Sequence, residues 1–252
     1  MTSASSQDSL QAEHTVPAIR ARLQKETSHS YLRDFIYGGI DGAVTTFAVV
    51  SGVAGAGLSS GVVIVLGMAN LVGDGFSMAA SNYLGSRADL QLLQQARLTE
   101  EQHIEQYPEG EREEIRQIMA AKGFDGDVLE EAVSRITADQ KLWVDTMLQE
   151  ELGMSLDRPN PVRAALVTLA AFIAVGFLPL VAFVVDHLLP TDDSNPFLVS
   201  TILTAIAFFC VGAVKSRFVL QRWYWSGLET LSIGGIAAGL AYLVGRLLSG
   251  IV

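Results

Sequence analysis

A chain of 252 residues with 50% hydrophobic side chains, 17% charged ones and a net charge of −10 is too acidic to favour a nucleic-acid partner. Its charges concentrate in the first 35 residues and between about Arg87 and Arg163, and the rest reads as apolar runs of transmembrane length, which excludes an ordinary soluble domain. The lone cysteine, Cys210, excludes an intramolecular disulfide framework and is expected to pack in a core.

Residues 1 to about 15 are rich in Ser, Gln and Thr without periodicity and read as disordered. No apolar h-region or small-residue cleavage site is seen there, so no secretory signal peptide is expected. From Val16 to Phe35, Arg20, Arg22, Lys25 and Arg33 are interspersed with Ile19, Leu23 and Tyr31, the pattern of a short helix on a membrane surface or of a plain basic flank.

A first transmembrane helix is predicted from about Asp34 to Gly57 and a second from about Ser60 to Gly85, joined by the small turn Leu58-Ser59-Ser60-Gly61. Both are crowded with Gly, Ala and Ser, residues that let backbones approach closely in lipid. Each also carries an acid, Asp41 opening the first and Asp74 well inside the second. An ionised carboxylate at membrane depth costs at least a few kcal/mol and usually marks an ion or proton route.

The acidic insert that follows starts helical from Ser86 to about Glu105 and can continue the second span beyond the bilayer. Pro108 and Gly110 punctuate it. Further helices are predicted over Glu109 to Ala121, stopped by Gly123, and over Asp127 to Leu152. A third span runs from Pro161 to Leu188 with a kink at Pro179, a fourth from Pro196 to Val214 after the acidic loop Thr191 to Asn195, and a fifth from Trp225 to Leu248. Gly235 and Gly239 form a G-x-x-x-G pair suited to tight packing, and Trp223, Tyr224 and Trp225 fit an interfacial belt.

The expected fold class is therefore all-α: a polytopic membrane protein of five transmembrane helices with a three-helix cytoplasmic insert between helices two and three. Residues 1–33 form a tail and amphipathic segment, 34–85 the first two spans, 86–158 the insert and 159–252 the remaining three. Basic residues flank the insert (Arg87, Arg158, Arg163) and fill the Lys215 to Arg222 connector, which places the N-terminus and insert in the cytoplasm and the C-terminus outside.

Two kinds of site are legible. In the insert, Glu100 with His103 and Glu111 with Glu114 are spaced i, i+3, so each pair projects from one side of a helix. Met147 and Glu151 are spaced i, i+4, with Glu150 adjacent. Carboxylates, an imidazole and a thioether gathered together suit a borderline first-row divalent ion better than Ca²⁺ or Mg²⁺. The same residues also read as a solvated acidic face, with Met147 as core filler and His103 as a surface histidine. Glu-x-x-His is moreover half of a di-iron carboxylate signature, which points to an oxidising enzyme, but no second copy exists. In the membrane, Thr45 and Thr46 beside Asp41, and Asn70, Asp74, Ser77 and Met78 on the second helix, form a polar, sulfur-bearing stripe. Asp41 also reads as an interfacial acid, and Asp74 as a structural hydrogen-bond partner of a neighbouring helix.

The runs DGAVTTFAVVSGVAGA and GMANLVGDGFSMAASNYL, with the Glu-rich insert before three further spans, resemble the vacuolar iron transporter family from about Ser30 onward. The resemblance implies a carrier rather than an enzyme: a homodimer of five-helix protomers that exchanges cytoplasmic Fe²⁺, and often Mn²⁺ or other divalent ions such as Co²⁺ or Zn²⁺, for protons, with no organic cofactor. It implies pore roles for Asp41 and Met78, and the polar stripe adds Thr45, Asn70 and Asp74 to the expected translocation path. It implies a cytoplasmic metal site of Glu100, Glu111, Glu114, Met147 and Glu151. His103 stands where the family pattern has a glutamate, and Leu148 where it has a second methionine. A membrane-anchored di-iron oxidase and a metal sensor without flux are the alternatives. Short termini without an organelle address favour a bacterial inner membrane, with a vacuolar membrane as the other setting.

Overall fold

The structure, a computed structural model, describes residues 11–24, 30–189 and 195–251. The stretch 1–30 forms a small unit of its own that contains helix α1 (Val16–Gln24). Residues 11–13 are already helical, so the expected disorder to about residue 15 does not hold there; residues 1–10 and the acidic loop at 191–194 lie outside the described residues. Within the predicted amphipathic stretch the described residues are helical over Val16–Gln24, and residues 30 and 31 are not, so no single helix runs on to Phe35.

Residues 31–252 form the second unit. In chain order it contains α2 (Leu32–Gly55), α3 (Ser60–Gln106), α4 (Pro108–Ala121), α5 (Gly126–Thr137), α6 (Gln140–Glu150), α7 (Pro161–Gly176), α8 (Leu178–Leu188), α9 (Pro196–Lys215) and α10 (Trp223–Leu248). No strand occurs among the described residues. Four helices, α2, α3, α9 and α10, are each long and apolar enough to cross a membrane. The pair α7 and α8 supplies a fifth span bent by 49°. The chain is an all-α polytopic membrane protein.

The bend falls where Pro179 enters α8, because proline has no N–H to give and its ring clashes with the preceding turn. Ser200 of α9 braces the break by donating a hydrogen bond to the Pro179 carbonyl oxygen at 2.5 Å.

Helix α2 is the most enclosed of the spans and touches α3, α7, α8, α9 and α10. Its Ala43, Phe47 and Val50 meet Phe172, Leu180 and Phe208 in the main core. Small residues set the closeness. A Cβ on Gly42 would lie 2.3 Å from the Phe172 carbonyl oxygen, and one on Gly245 only 2.0 Å from that of Gly52. Gly235 and Gly239, by contrast, have nothing within 4 Å, so the predicted G-x-x-x-G pair makes none of these approaches. Cys210 is exposed on α9, which corrects its expected core role. In a lipid-facing helix an apolar neighbourhood does not imply burial, since the solvent itself is apolar.

Helix α3 is a 47-residue rod. At ~1.5 Å per residue it measures about 70 Å, more than twice a hydrocarbon core of ~30 Å, so its second half stands outside the bilayer as the first helix of the insert. Against it pack α4 and α6, with α5 resting on those two, and Ile115, Met119, Val133, Trp143 and Met147 form a separate apolar core. The predicted continuous helix from Asp127 to Leu152 is in fact two. Asp139 breaks it by capping α6, accepting a hydrogen bond from the Leu142 N–H at 3.0 Å. Arg97 of α3 pairs with Asp145 of α6, and Lys122 at the end of α4 pairs with Glu150 at 2.6 Å.

Candidate metal site and membrane acids

The insert site is built across the tight junction between α3 and α4. Tyr107 alone separates the helices, and Pro108 starts α4 at its first position, where the missing N–H is no loss. The reversal puts Glu111 opposite the last turns of α3. One ligand atom each from Glu100, His103 and Glu111 lies within 4.8 Å of the others. His103 Nδ1 is 3.4 Å from Glu111 Oε1.

Both glutamates are buried, 5% and 6% exposed, and Oε2 of each has no hydrogen-bond partner. A buried carboxylate oxygen without a donor is costly, and a cation is the group that offsets it. Burial, then the nearby charges of Glu114 and Glu100, pushes the Glu111 carboxyl up to about 7. Glu100 is raised by burial, against His103, with Glu114 adding to the rise; Glu151 is raised by burial and then by Glu114 and Glu100. Four carboxylates thus repel one another around a single imidazole. Glu100, His103, Glu114 and Glu151 also line one groove of about 470 Å³. A divalent ion with oxygen and nitrogen ligands fits this donor set.

In the membrane, α2 and α3 run antiparallel. Asn70 donates to the Thr45 and Thr46 hydroxyls at 3.2 and 3.3 Å, and Thr45 itself donates to the Asp41 carbonyl oxygen at 2.9 Å. Asp41 is half-buried and within electrostatic reach of Asp74, which is exposed on the outer face of α3. Met78 is partly buried against the main core. Hydrogen bonds thus link Asn70 to Thr45 and Thr46, whereas Asp74 opens outward.

The profile of the VIT family matches residues 32–246. The chain belongs to the VIT family. A protein of Toxoplasma gondii named vacuolar iron transporter is 34% identical over 232 residues, which cover 90% of this chain and 77% of the relative. A vacuolar iron transporter of Plasmodium berghei is 31% identical, covering 90% of this chain and 87% of the relative. Vacuolar iron transporter 1 of Arabidopsis thaliana is 29% identical, covering 87% of each.

In this VIT chain, not every residue singled out from sequence joins the cluster. Glu150 points away to Lys122. Met147 is fully buried in the insert's apolar core, and Leu148 is buried as completely. Met154, which spacing did not single out, lines the groove beside Glu151. The left-handed turn at Gly153 (φ 62°) carries it there, and its N–H bonds back to the Leu148 carbonyl at 2.8 Å. A second network was also missed. Asn82 donates to Asp34 at 2.9 Å and to Thr168 at 2.7 Å, and accepts from Ser86 at 3.3 Å, tying α3 to α2 and α7. The available signal was register: Asn82 lies one turn beyond Met78 on the stripe that runs through Asp74 and Asn70.

Proposed function

We propose that the chain is a divalent-metal/proton antiporter that moves Fe²⁺, and Mn²⁺ among related ions, out of the cytoplasm. The observation that carries this reading is the pair of buried, donorless carboxylate oxygens on Glu100 and Glu111 beside His103. The relatives, named as vacuolar iron transporters, supply iron as cargo. In this reading Glu100, His103 and Glu111 capture the ion, with Glu114 and Glu151 at the mouth. His103 ligates as the neutral imidazole. Gln95 and Thr99 continue the groove along α3 toward the membrane.

The ion then reaches Asp41, Thr45, Asn70, Asp74 and Met78. A carboxylate there holds a proton or a metal but not both, and that competition couples opposite fluxes. We further propose a homodimer formed through α3. Ala69, Gly73, Ser77, Ser81 and Gly85 recur every four residues on its exposed face, and Gly73 and Gly85 have nothing within 4 Å. Such a face lets a second backbone approach closely and would close the outward side of Asp74. The N-terminus and insert lie in the cytoplasm in this scheme, in a bacterial inner membrane or, alternatively, a vacuolar one.

The test is Fe²⁺ accumulation in proteoliposomes under an imposed proton gradient, with Asp41→Asn as the variant. Wild type is expected to accumulate metal only while the gradient lasts, and the variant to fold with unchanged helicity but not transport. Gradient-driven flux in Asp41→Asn would overturn the role of Asp41, and flux indifferent to the gradient would overturn antiport.

A further inference from the structure

A groove of about 500 Å³ lies between the first turns of α2, the connector after α9 and the start of α10. Its walls are apolar, formed by Ile36, Ile40, Phe218, Val219 and Ile233, and its lining includes two cations, Arg33 and Lys215. Neither motif reading nor the metal path uses it. We propose that it is a binding site for one anionic phospholipid, with the phosphate on Arg33 and Lys215 and an acyl chain against the apolar walls.

Three observations point to that occupant. The first is depth. Trp223 and Trp225, both more than half exposed, mark the headgroup level at the start of α10. Ile233 lies ten residues further along, about 15 Å deeper, and Ile40 lies about 10 Å below Arg33 on α2. Glu229, which holds the Lys215 ammonium, lies only about 6 Å below Trp225, so the groove has its cations nearer the headgroup level and its apolar floor deeper, at the level of acyl chains.

The second is charge. Lys215 is held by Glu229 at 3.0 Å, whereas Arg33 stacks over Tyr37 at 5.4 Å and pairs with no carboxylate among the described residues. Arg33 is the cation left to meet an anion, and basic pockets between membrane helices are known headgroup sites.

The third is the company of the connector. Phe218 and Val219 are nearly half exposed and Leu220 is wholly so, an apolar run that a hydrocarbon surface would cover. A free phosphate would satisfy the cations and leave those walls wet. A second copy of the chain is a poorer fit, since no lining residue belongs to α3, which carries the small-residue face.

The experiment uses the full chain, purified in mild detergent and delipidated. It is titrated with phosphatidylglycerol, with phosphatidylcholine of the same chains, or with inorganic phosphate, and bound lipid is counted by native mass spectrometry. Phosphatidylglycerol is expected to bind in preference to phosphatidylcholine. Arg33→Gln should weaken phosphatidylglycerol about fivefold and leave phosphatidylcholine unchanged. Glu229→Gln, which frees Lys215, should strengthen it, an effect in the opposite direction that misfolding cannot mimic. Equal retention of the two lipids, an unchanged preference in both variants, or displacement of phosphatidylglycerol by inorganic phosphate would overturn the proposal. So would disulfide cross-linking between two copies of Ile233→Cys in a Cys210→Ser background, because protein would then fill the groove.

Discussion

Metal binding at the insert should weaken steeply as pH falls through neutrality, and Glu111 should carry a large part of the slope. With its carboxyl pushed up to about 7, Glu111 is about three-quarters ionised at pH 7.5 and about 3% ionised at pH 5.5. A metal must displace that proton, so affinity should drop about 25-fold over the interval, close to 2 kcal/mol, from this side chain alone. A glutamate near its ordinary 4.5 stays mostly ionised at pH 5.5 and would change the affinity by only about 10%. Glu100 and Glu151, raised by burial as well, steepen the loss further. Titration calorimetry of the full chain with Mn²⁺, or with Fe²⁺ under anaerobic conditions, reads this directly at pH 7.5, 6.5 and 5.5. Glu111→Gln should bind more weakly at pH 7.5 and show a flatter profile. A wild-type affinity that changes less than about twofold, or a variant with the wild-type slope, would refute the reasoning.

Metal-free protein should also lose stability as pH rises. The folded state retains a proton on Glu111 that the unfolded chain has released, so the contribution is full below about pH 4.5 and is lost as pH climbs through about 7; thermal melts across that range should fall, and Mn²⁺ should restore the loss at the alkaline end. Gly42→Ala should destabilise the membrane bundle by about 1–3 kcal/mol or more, since its Cβ meets the Phe172 backbone, while Gly239→Ala meets nothing within 4 Å and should leave the melt unchanged or slightly raised. Equal melts for the two would contradict the close approach of α2 and α7. Asn82→Leu should cost about 1–3 kcal/mol by leaving Asp34 and Thr168 without their shared donor, read as a lowered unfolding temperature in detergent.

Local pattern carried much of the architecture. Apolar run length located the spans, and Pro179 located the bend, because proline acts on its own helix whatever surrounds it. The i, i+3 spacing found Glu100 with His103 and Glu111 with Glu114, yet it could not say that the two pairs would close on each other. That depends on a one-residue junction at Tyr107 and on the shared core beneath it. Periodicity also failed where a cap competes with it. The apolar face continues from Val133 to Trp143, but Asp139 gives the backbone a better local partner and ends one helix to start another. Met147 and Met154 show the same limit, since one is sealed in the core and the other is delivered to the groove by a glycine turn.

The long rod α3 joins the two halves of the proposed cycle and constrains how the ion passes between them. Met78 and Glu100 lie 22 residues apart on this one uninterrupted helix, so their separation is fixed at about 33 Å. While α3 stays one continuous helix, Met78 and Glu100 of the same chain stay too far apart for direct ligand exchange. Their angular offset, however, is only about 40° at ~100° per residue, so both project to nearly the same side of the rod. The groove already follows that side from Glu100 back to Leu92 through Thr99 and Gln95, about 12 Å of the way. In the proposed cycle an ion released from Glu100 would emerge on the face that leads to Met78 and would cross the remaining interval along hydrated protein surface. Motion of α4 and α6 against a stationary α3 is then the step that can open the site, and the contacts that resist it are the Arg97–Asp145 pair and the apolar core around Ile115.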